Sequence, residues 1–170
     1  MERKNATVAV IGAGDFIGGA IAKKFASEGF IIHAGRRNGD KLALLVAEVE
    51  AAGGEIRARS LDAREEGDVT AFLSEADREA PLEACIFNIG ANVNFPLLET
   101  TERVFRKVWE MACFSGFLAG REAARLMLPR GRRFGFSALH WAVNKAIFPS
   151  ATGPAVPQPG KRDSRGNLGK

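Results

Sequence analysis

Apolar positions along the first half of the chain fall into two alternating patterns. ATVAVI, residues 6–11, is an unbroken run of small and β-branched side chains, which predicts a strand buried on both faces of a parallel sheet. From Ile17 to Ser27 the period changes to that of a helix, with Ile17, Ile21 and Phe25 on one face, Lys23, Lys24 and Glu28 turned outward, and Gly29 as the stop. FIIHA, 30–34, predicts a second strand. Leu42, Leu45, Val46 and Val49 predict a second helix, capped by Asp40 and ended by Gly53 and Gly54. EIRARSL, 55–61, is a third strand, Val69, Phe72, Leu73 and Ala76 mark a third helix, and ACIFNIG, 84–90, is a fourth strand.

This βαβαβαβ order predicts an α/β fold, a doubly wound parallel sheet with right-handed crossovers. A long helical region at 101–128 follows, read as two consecutive helices or one bent helix and closed by Pro129 and Gly131. RFGFSAL, 133–139, is the fifth and weakest strand. The domain is therefore read as 1–148, Rossmann-like and incomplete, with about five strands. Residues 149–170, rich in proline and glycine, are expected to form a disordered basic tail, because they bury too little to offset their ordering entropy.

Charge alters this picture little. The net charge is +4, and the last twenty residues hold Lys161, Arg162, Arg165 and Lys170 against Asp163, or +3, which leaves about +1 for the first 150. That distribution argues for a solvated tail and against nucleic acid. No apolar run approaches a membrane span, and the glycine-broken N-terminal run does not fit a secretory signal. Cys85 and Cys113 are read as free core thiols in a reducing, cytoplasmic setting, and no metal-ligand spacing occurs. Met111 and Met127 read as core, His33 and His140 as structural.

The candidate chemistry begins at the first βα junction. Gly12, Gly14 and Gly18 stand where a pyrophosphate can approach the backbone and the positive end of a helix, although a tight turn with close helix packing explains them as well. GAGDFIGGAIAKKFASEG resembles the cofactor loop of the short-chain dehydrogenase/reductase family, with Ile11 in place of the usual threonine and Phe16 in place of the middle glycine. A benzyl group there either narrows the cofactor groove or packs on the adenosine side. The resemblance implies pyrophosphate contacts from Gly12, Gly14, Phe16, Ile17 and Gly18.

It also implies further roles in family order. Arg36 and Arg37, after the second strand, would hold a 2′-phosphate, which points to NADP rather than the alternative, NAD; two solvated arginines are the plainer reading. Asp62 in LDA would contact adenine, and it would also serve as a helix cap. In NIGA, Asn88 and Gly90 would border the nicotinamide ribose, with Ile89 replacing a small residue. The family's interface helix corresponds to 101–128, implying a homo-oligomer, and Cys113 stands three residues before Gly116 where an asparagine is usual.

The catalytic half departs from the family. Its chemistry moves a hydride between nicotinamide and a carbonyl or alcohol while a tyrosine exchanges the proton, yet the chain contains no tyrosine. HWAVNKA has only Trp141 and Lys145 at the signature's separation, and Ser137 lies four residues before Trp141, so Ser137 and Lys145 are the sole catalytic candidates. Ser27, Ser60, Ser74 and Ser115 sit in no nucleophile elbow. The expectation is an NADP-dependent oxidoreductase of a small carbonyl or alcohol substrate with impaired or absent catalysis. The alternative is a non-catalytic nucleotide-binding module or an inactive fragment. Loss of pattern after residue 131 is what a truncation or frameshift would produce, and the other two reading frames past codon 130 test it.

Overall fold

A computed structural model describes residues 2–90 and 96–130 and the backbone of 136–138. The elements run β1 (Thr7–Ile11), α1 (Ile17–Ser27), β2 (Ile31–Arg36), α2 (Ala43–Ala51), β3 (Glu55–Ser60), α3 (Glu66–Glu79), β4 (Leu82–Phe87), α4 (Glu102–Trp109), α5 (Ser115–Met127) and β5 (Phe136–Ala138). The strands form one parallel sheet in the order β3-β2-β1-β4-β5. The strand order reverses between β1 and β4. In such sheets the crevice beyond the carboxyl ends of the strands at this reversal is the place where ligands bind.

β1 is buried along its whole length, as its apolar run requires. Its side chains alternate between two cores. Ala9 and Ile11 join Cys85, Phe87, Phe72, Leu73, Leu118 and Met127 beneath α3 and α5. Val8 and Val10 join Ile32, Ala34, Ile56, Leu42, Leu45 and Val49 beneath α1 and α2. β2 obeys the same period of two, so His33 and Gly35 face α3. Gly35 is needed there, since a Cβ would lie 2.6 Å from Leu61 Cδ2 and 3.2 Å from the Phe72 ring. His33 is buried against Phe72, and its Nε2 lies 2.8 Å from Glu79 Oε2. Burial pushes its pKa down, and the hydrogen bond to Glu79 opposes that shift.

Several expectations change. The buried face of α1 is Gly18, Gly19, Ala22 and Ala26, while Ile17 is exposed and Ile21 and Phe25 are only partly covered. Small residues win that face because α1 packs tightly on the loop before it. Asp40 does not cap α2: it sits inside a 3₁₀ turn, Gly39–Leu42, that leads into the helix without a side-chain cap. Asp62 does not cap α3 either, whose N-cap position is Glu65. β4 ends at Phe87, which leaves 88–90 outside the sheet, and β2 runs to Arg36.

The 101–128 region is two helices joined by a π turn, Glu110–Phe114. Phe105 and Trp109 are exposed and only Val108 of α4 is buried. Cys113, on the π turn, is exposed and so is not a core thiol, whereas Cys85 is fully buried and its thiol is pushed up to about 12 by desolvation. Met127 is core; Met111 is not, for it is partly exposed on the π turn and faces a cleft. No described helix is long and apolar enough to cross a membrane. The tail reading of 149–170 and the candidates Lys145, His140 and Trp141 lie outside the described residues.

Candidate cofactor site

The loop after β1 is fixed by backbone bonds to the neighbouring strand. Gly12 N and Ala13 N both donate to Gly35 O, at 2.8 and 3.2 Å, and Gly14 N turns back to Gly12 O at 2.8 Å. Gly12 adopts φ +86°, and a Cβ there would lie 2.6 Å from Asn88 O. A Cβ on Gly18 would lie 2.3 Å from Gly12 O. These two glycines therefore serve close backbone approach. Gly14 differs: a Cβ there would have only Gly12 O within reach, at 4.0 Å, because the position opens onto the cleft.

α1 begins directly beyond this turn with no side-chain cap and no acidic residue in its first turn. Gly19 N donates to Gly14 O at 2.7 Å, so the N–H groups of Ile17 and Gly18 and the positive end of the dipole are what the helix start offers an external anion. Phe16 is 86% exposed, so the benzyl group neither narrows the cleft nor lines it. Ile17 also points outward, and Gly18 is buried under the loop.

The cleft, about 410 Å³, runs from this turn across the ends of β2 and β3 on one side and β4 on the other. Such a volume suits part of a dinucleotide. Four cationic residues line it: Arg36, Arg37, Lys41 and Arg64. Arg36 Nη1 donates to Asp15 Oδ1 at 3.0 Å and, more weakly, to Lys41 O at 3.5 Å. Lys41 reaches the cleft because the 3₁₀ turn folds the chain back after β2, and that turn is pinned by Gly39 N donating to Ser60 Oγ at 3.1 Å.

Asp62 and Arg64 form the wall after β3. Arg64 Nε and Nη2 donate to Asp62 Oδ1 and Oδ2 at 2.9 and 2.5 Å, and the Arg64 backbone N–H adds a third bond at 3.1 Å. These bonds, with a smaller contribution from Arg37, hold the Asp62 carboxyl at about 2. The Asp62 N–H is itself taken by Asp68 Oδ2 at 3.3 Å.

On the β4 side, Asn88 N donates to Ile11 O at 2.8 Å and Asn88 Nδ2 to Gly12 O at 3.0 Å. Asn88, Ile89 and Gly90 line the cleft, joined by Met111 and Ser115 from the π turn and α5. Ser115 Oγ donates to Met111 O at 2.5 Å, whereas Cys113 is exposed. Ser137 belongs to β5, where its backbone pairs with Ile86, one strand beyond β4.

One cleft thus gathers Gly12, Gly14, Arg36, Arg37, Asp62, Asn88 and Gly90. Sequence reasoning missed Asn38, Lys41, Arg64, Met111 and Ser115. The turn signal Asn38-Gly39 announced the chain reversal that delivers Lys41, and the Asp62/Arg64 charge pair was visible two residues apart. Nothing in a helical period reveals a π turn. Among the described residues no cluster of histidine, cysteine and carboxylates fits a metal ion.

The short chain dehydrogenase family model matches residues 6–135. A short-chain dehydrogenase from Rhodopseudomonas palustris is 64% identical and superposes with a TM-score of 0.77, covering 85% of this chain and 73% of that one. The citronellol catabolism dehydrogenase of Pseudomonas aeruginosa PAO1 is 25% identical, with a TM-score of 0.68 over 74% of this chain and 52% of its own. The F189W actinorhodin polyketide ketoreductase, solved with NADPH, is 21% identical, covers 85% of this chain and 60% of its own, and at a TM-score of 0.75 shares the fold. No curated protein sequence matches. With a glycine turn and basic cleft at the strand-order reversal, a family match over residues 6–135 and a relative 64% identical, the chain belongs to the short-chain dehydrogenase family of oxidoreductases.

Proposed function

We propose that the cleft binds NADP(H) and that the chain derives from an enzyme acting on a small carbonyl or alcohol. The observation that carries this reading is the convergence of Arg36, Arg37, Lys41 and Arg64 on a cleft whose other end is the glycine turn. Two negative groups of NADP, the pyrophosphate and the 2′-phosphate, match two separate sources of positive potential. In this reading the backbone of the turn from Gly12 and Gly14 through Phe16, Ile17 and Gly18 receives the pyrophosphate, with no part for the outward-pointing side chains of Phe16 and Ile17; Arg36 and Arg37 hold the 2′-phosphate and Asp62 the adenine. Asn88 and Gly90 border the nicotinamide ribose.

When bound, the nicotinamide supplies or accepts a hydride. The protein's part is to orient it and to handle a proton on the substrate oxygen. Ser137 is proposed to position that oxygen and Lys145 to hold the ribose. No tyrosine among the 170 residues provides the phenol that would exchange the proton. Binding with impaired turnover follows, and a non-catalytic nucleotide-binding module is the second reading, favoured by that same absence.

The test is a titration with NADPH and NADH, following nicotinamide fluorescence and thermal stabilisation. Saturable binding that prefers NADPH and weakens about tenfold or more in Arg36→Ala is expected, since a charged hydrogen bond is lost. No binding to the folded chain overturns the reading. Turnover of aldehydes and ketones that disappears in Lys145→Ala would restore full enzyme status. Exposed Phe105, Trp109 and Phe117 support self-association through 101–128, which sedimentation tests. Two cysteines, one of them exposed, fit a reducing cytoplasm.

A further inference from the structure

We infer that Asp15 sets the balance between phosphorylated and unphosphorylated dinucleotide by holding the Arg36 guanidinium from the glycine turn, an inference that rests on the cofactor reading above. Arg36 stands at the end of β2 and lines the cleft, with its side chain 22% exposed. Asp15 already holds that guanidinium, with Oδ1 at 3.0 Å from Nη1. Asp15 comes from the turn between Gly14 and α1, its side chain 73% exposed and therefore free to stay or swing away.

The consequence is electrostatic. A phosphate monoester brings about −1.5 to −2 charges near neutrality. Arriving at Arg36, it meets a carboxylate competing for the same donor and repelling it, and must displace Asp15 or share the guanidinium with it. An unphosphorylated 2′-hydroxyl brings no charge and meets no such conflict. Asp62, the carboxylate that lines the cleft itself, does not compete in this way, because Arg64 occupies it on both oxygens. Arg37 and Lys41 partly offset Asp15, so the site is tempered in its preference for the phosphorylated cofactor. Exposed ion pairs of this kind are worth up to about fivefold in an equilibrium constant.

The experiment measures dissociation constants of the full chain for NADPH and NADH in wild type, Asp15→Asn, Asp15→Glu and Glu50→Gln. Glu50 is an exposed carboxylate on α2 that does not line the cleft. Asp15→Asn is expected to raise the NADPH/NADH affinity ratio by about three- to fivefold, mainly through tighter NADPH, with the gain shrinking as salt is added. Asp15→Glu keeps the wild-type ratio. A ratio within twofold of wild type in Asp15→Asn, with both nucleotides binding, overturns the inference and leaves the cofactor reading standing. An equal rise in Glu50→Gln also overturns it, by assigning the effect to net charge. Absence of binding by either nucleotide to folded wild-type protein removes the cofactor reading and this inference together.

Discussion

Asn88 and Gly12, 76 residues apart in the chain, are joined by a 3.0 Å hydrogen bond from the Asn88 carboxamide to the Gly12 carbonyl. The Asn88 backbone N–H reaches Ile11 O one residue earlier, so one residue ties the end of β4 to the turn after β1. Asn88→Ala is expected to cost about 1 kcal/mol of stability, the net worth of one such bond. It should also weaken NADPH binding, because the turn loses its brace. Urea unfolding and the titration above read the two effects separately.

Glycines in this chain are not equivalent. Gly18→Ala drives a methyl group to 2.3 Å from the Gly12 carbonyl oxygen, backbone against backbone, and should cost about 1–3 kcal/mol or more. Gly67, in the first turn of α3, has nothing within 4 Å of a built Cβ and no positive φ. Gly67→Ala should therefore stabilise by up to about 1 kcal/mol through helix propensity. Thermal unfolding of the two variants should move in opposite directions.

Acid should unfold the protein in two windows. His33 has its pKa lowered by burial, so protonation favours the unfolded chain and stability begins to fall as pH drops below its ordinary value of 6.5. Asp62 has its pKa lowered from 3.8 to about 2 by Arg64, so its contribution is complete above about 4 and is lost as pH falls toward 2. Solvent screening of this partly exposed pair holds that contribution to about 1 kcal/mol. Denaturation midpoints against pH should show the first slope flattened in His33→Phe and the second in Arg64→Met.

Thiol labelling should separate the cysteines. Cys113 is exposed and should react in the native protein, while Cys85, buried with its thiol pushed up to about 12, should react only after unfolding. Mass spectrometry of the native protein is expected to find one adduct, at Cys113. Labelling of Cys85 at the same rate would contradict the core described for β4.

The sheet was legible in the sequence because its determinants are local. A fully apolar β1, glycines at the first βα junction and helical periods at 42–49 and 69–76 each announce one element. The glycine turn and Arg36 were legible for the same reason. What escaped depends on contacts between distant segments. The inner face of α1 is set by how closely the loop approaches, which favours Gly18 and Ala22 over the larger Ile17. Asp40 has the chemistry of a cap, yet the 3₁₀ turn that precedes α2 moves the helix start past it. Arg64 lines the cleft while paired through two bonds to Asp62, a side-chain arrangement no local period announces.

The π turn at Glu110–Phe114 has a consequence for insertions and deletions. A turn that carries one residue beyond the α-helical repeat advances everything after it by about 100°. α5 is anchored by Leu118, Ala119, Ala123 and Met127 in the core, so removing one residue from the turn would not rotate α5. The rotation would fall on α4, swinging Val108 out of its buried place and re-aiming Phe105 and Trp109. A single-codon deletion here would act as a twist of a helix rather than as the trimming of a loop.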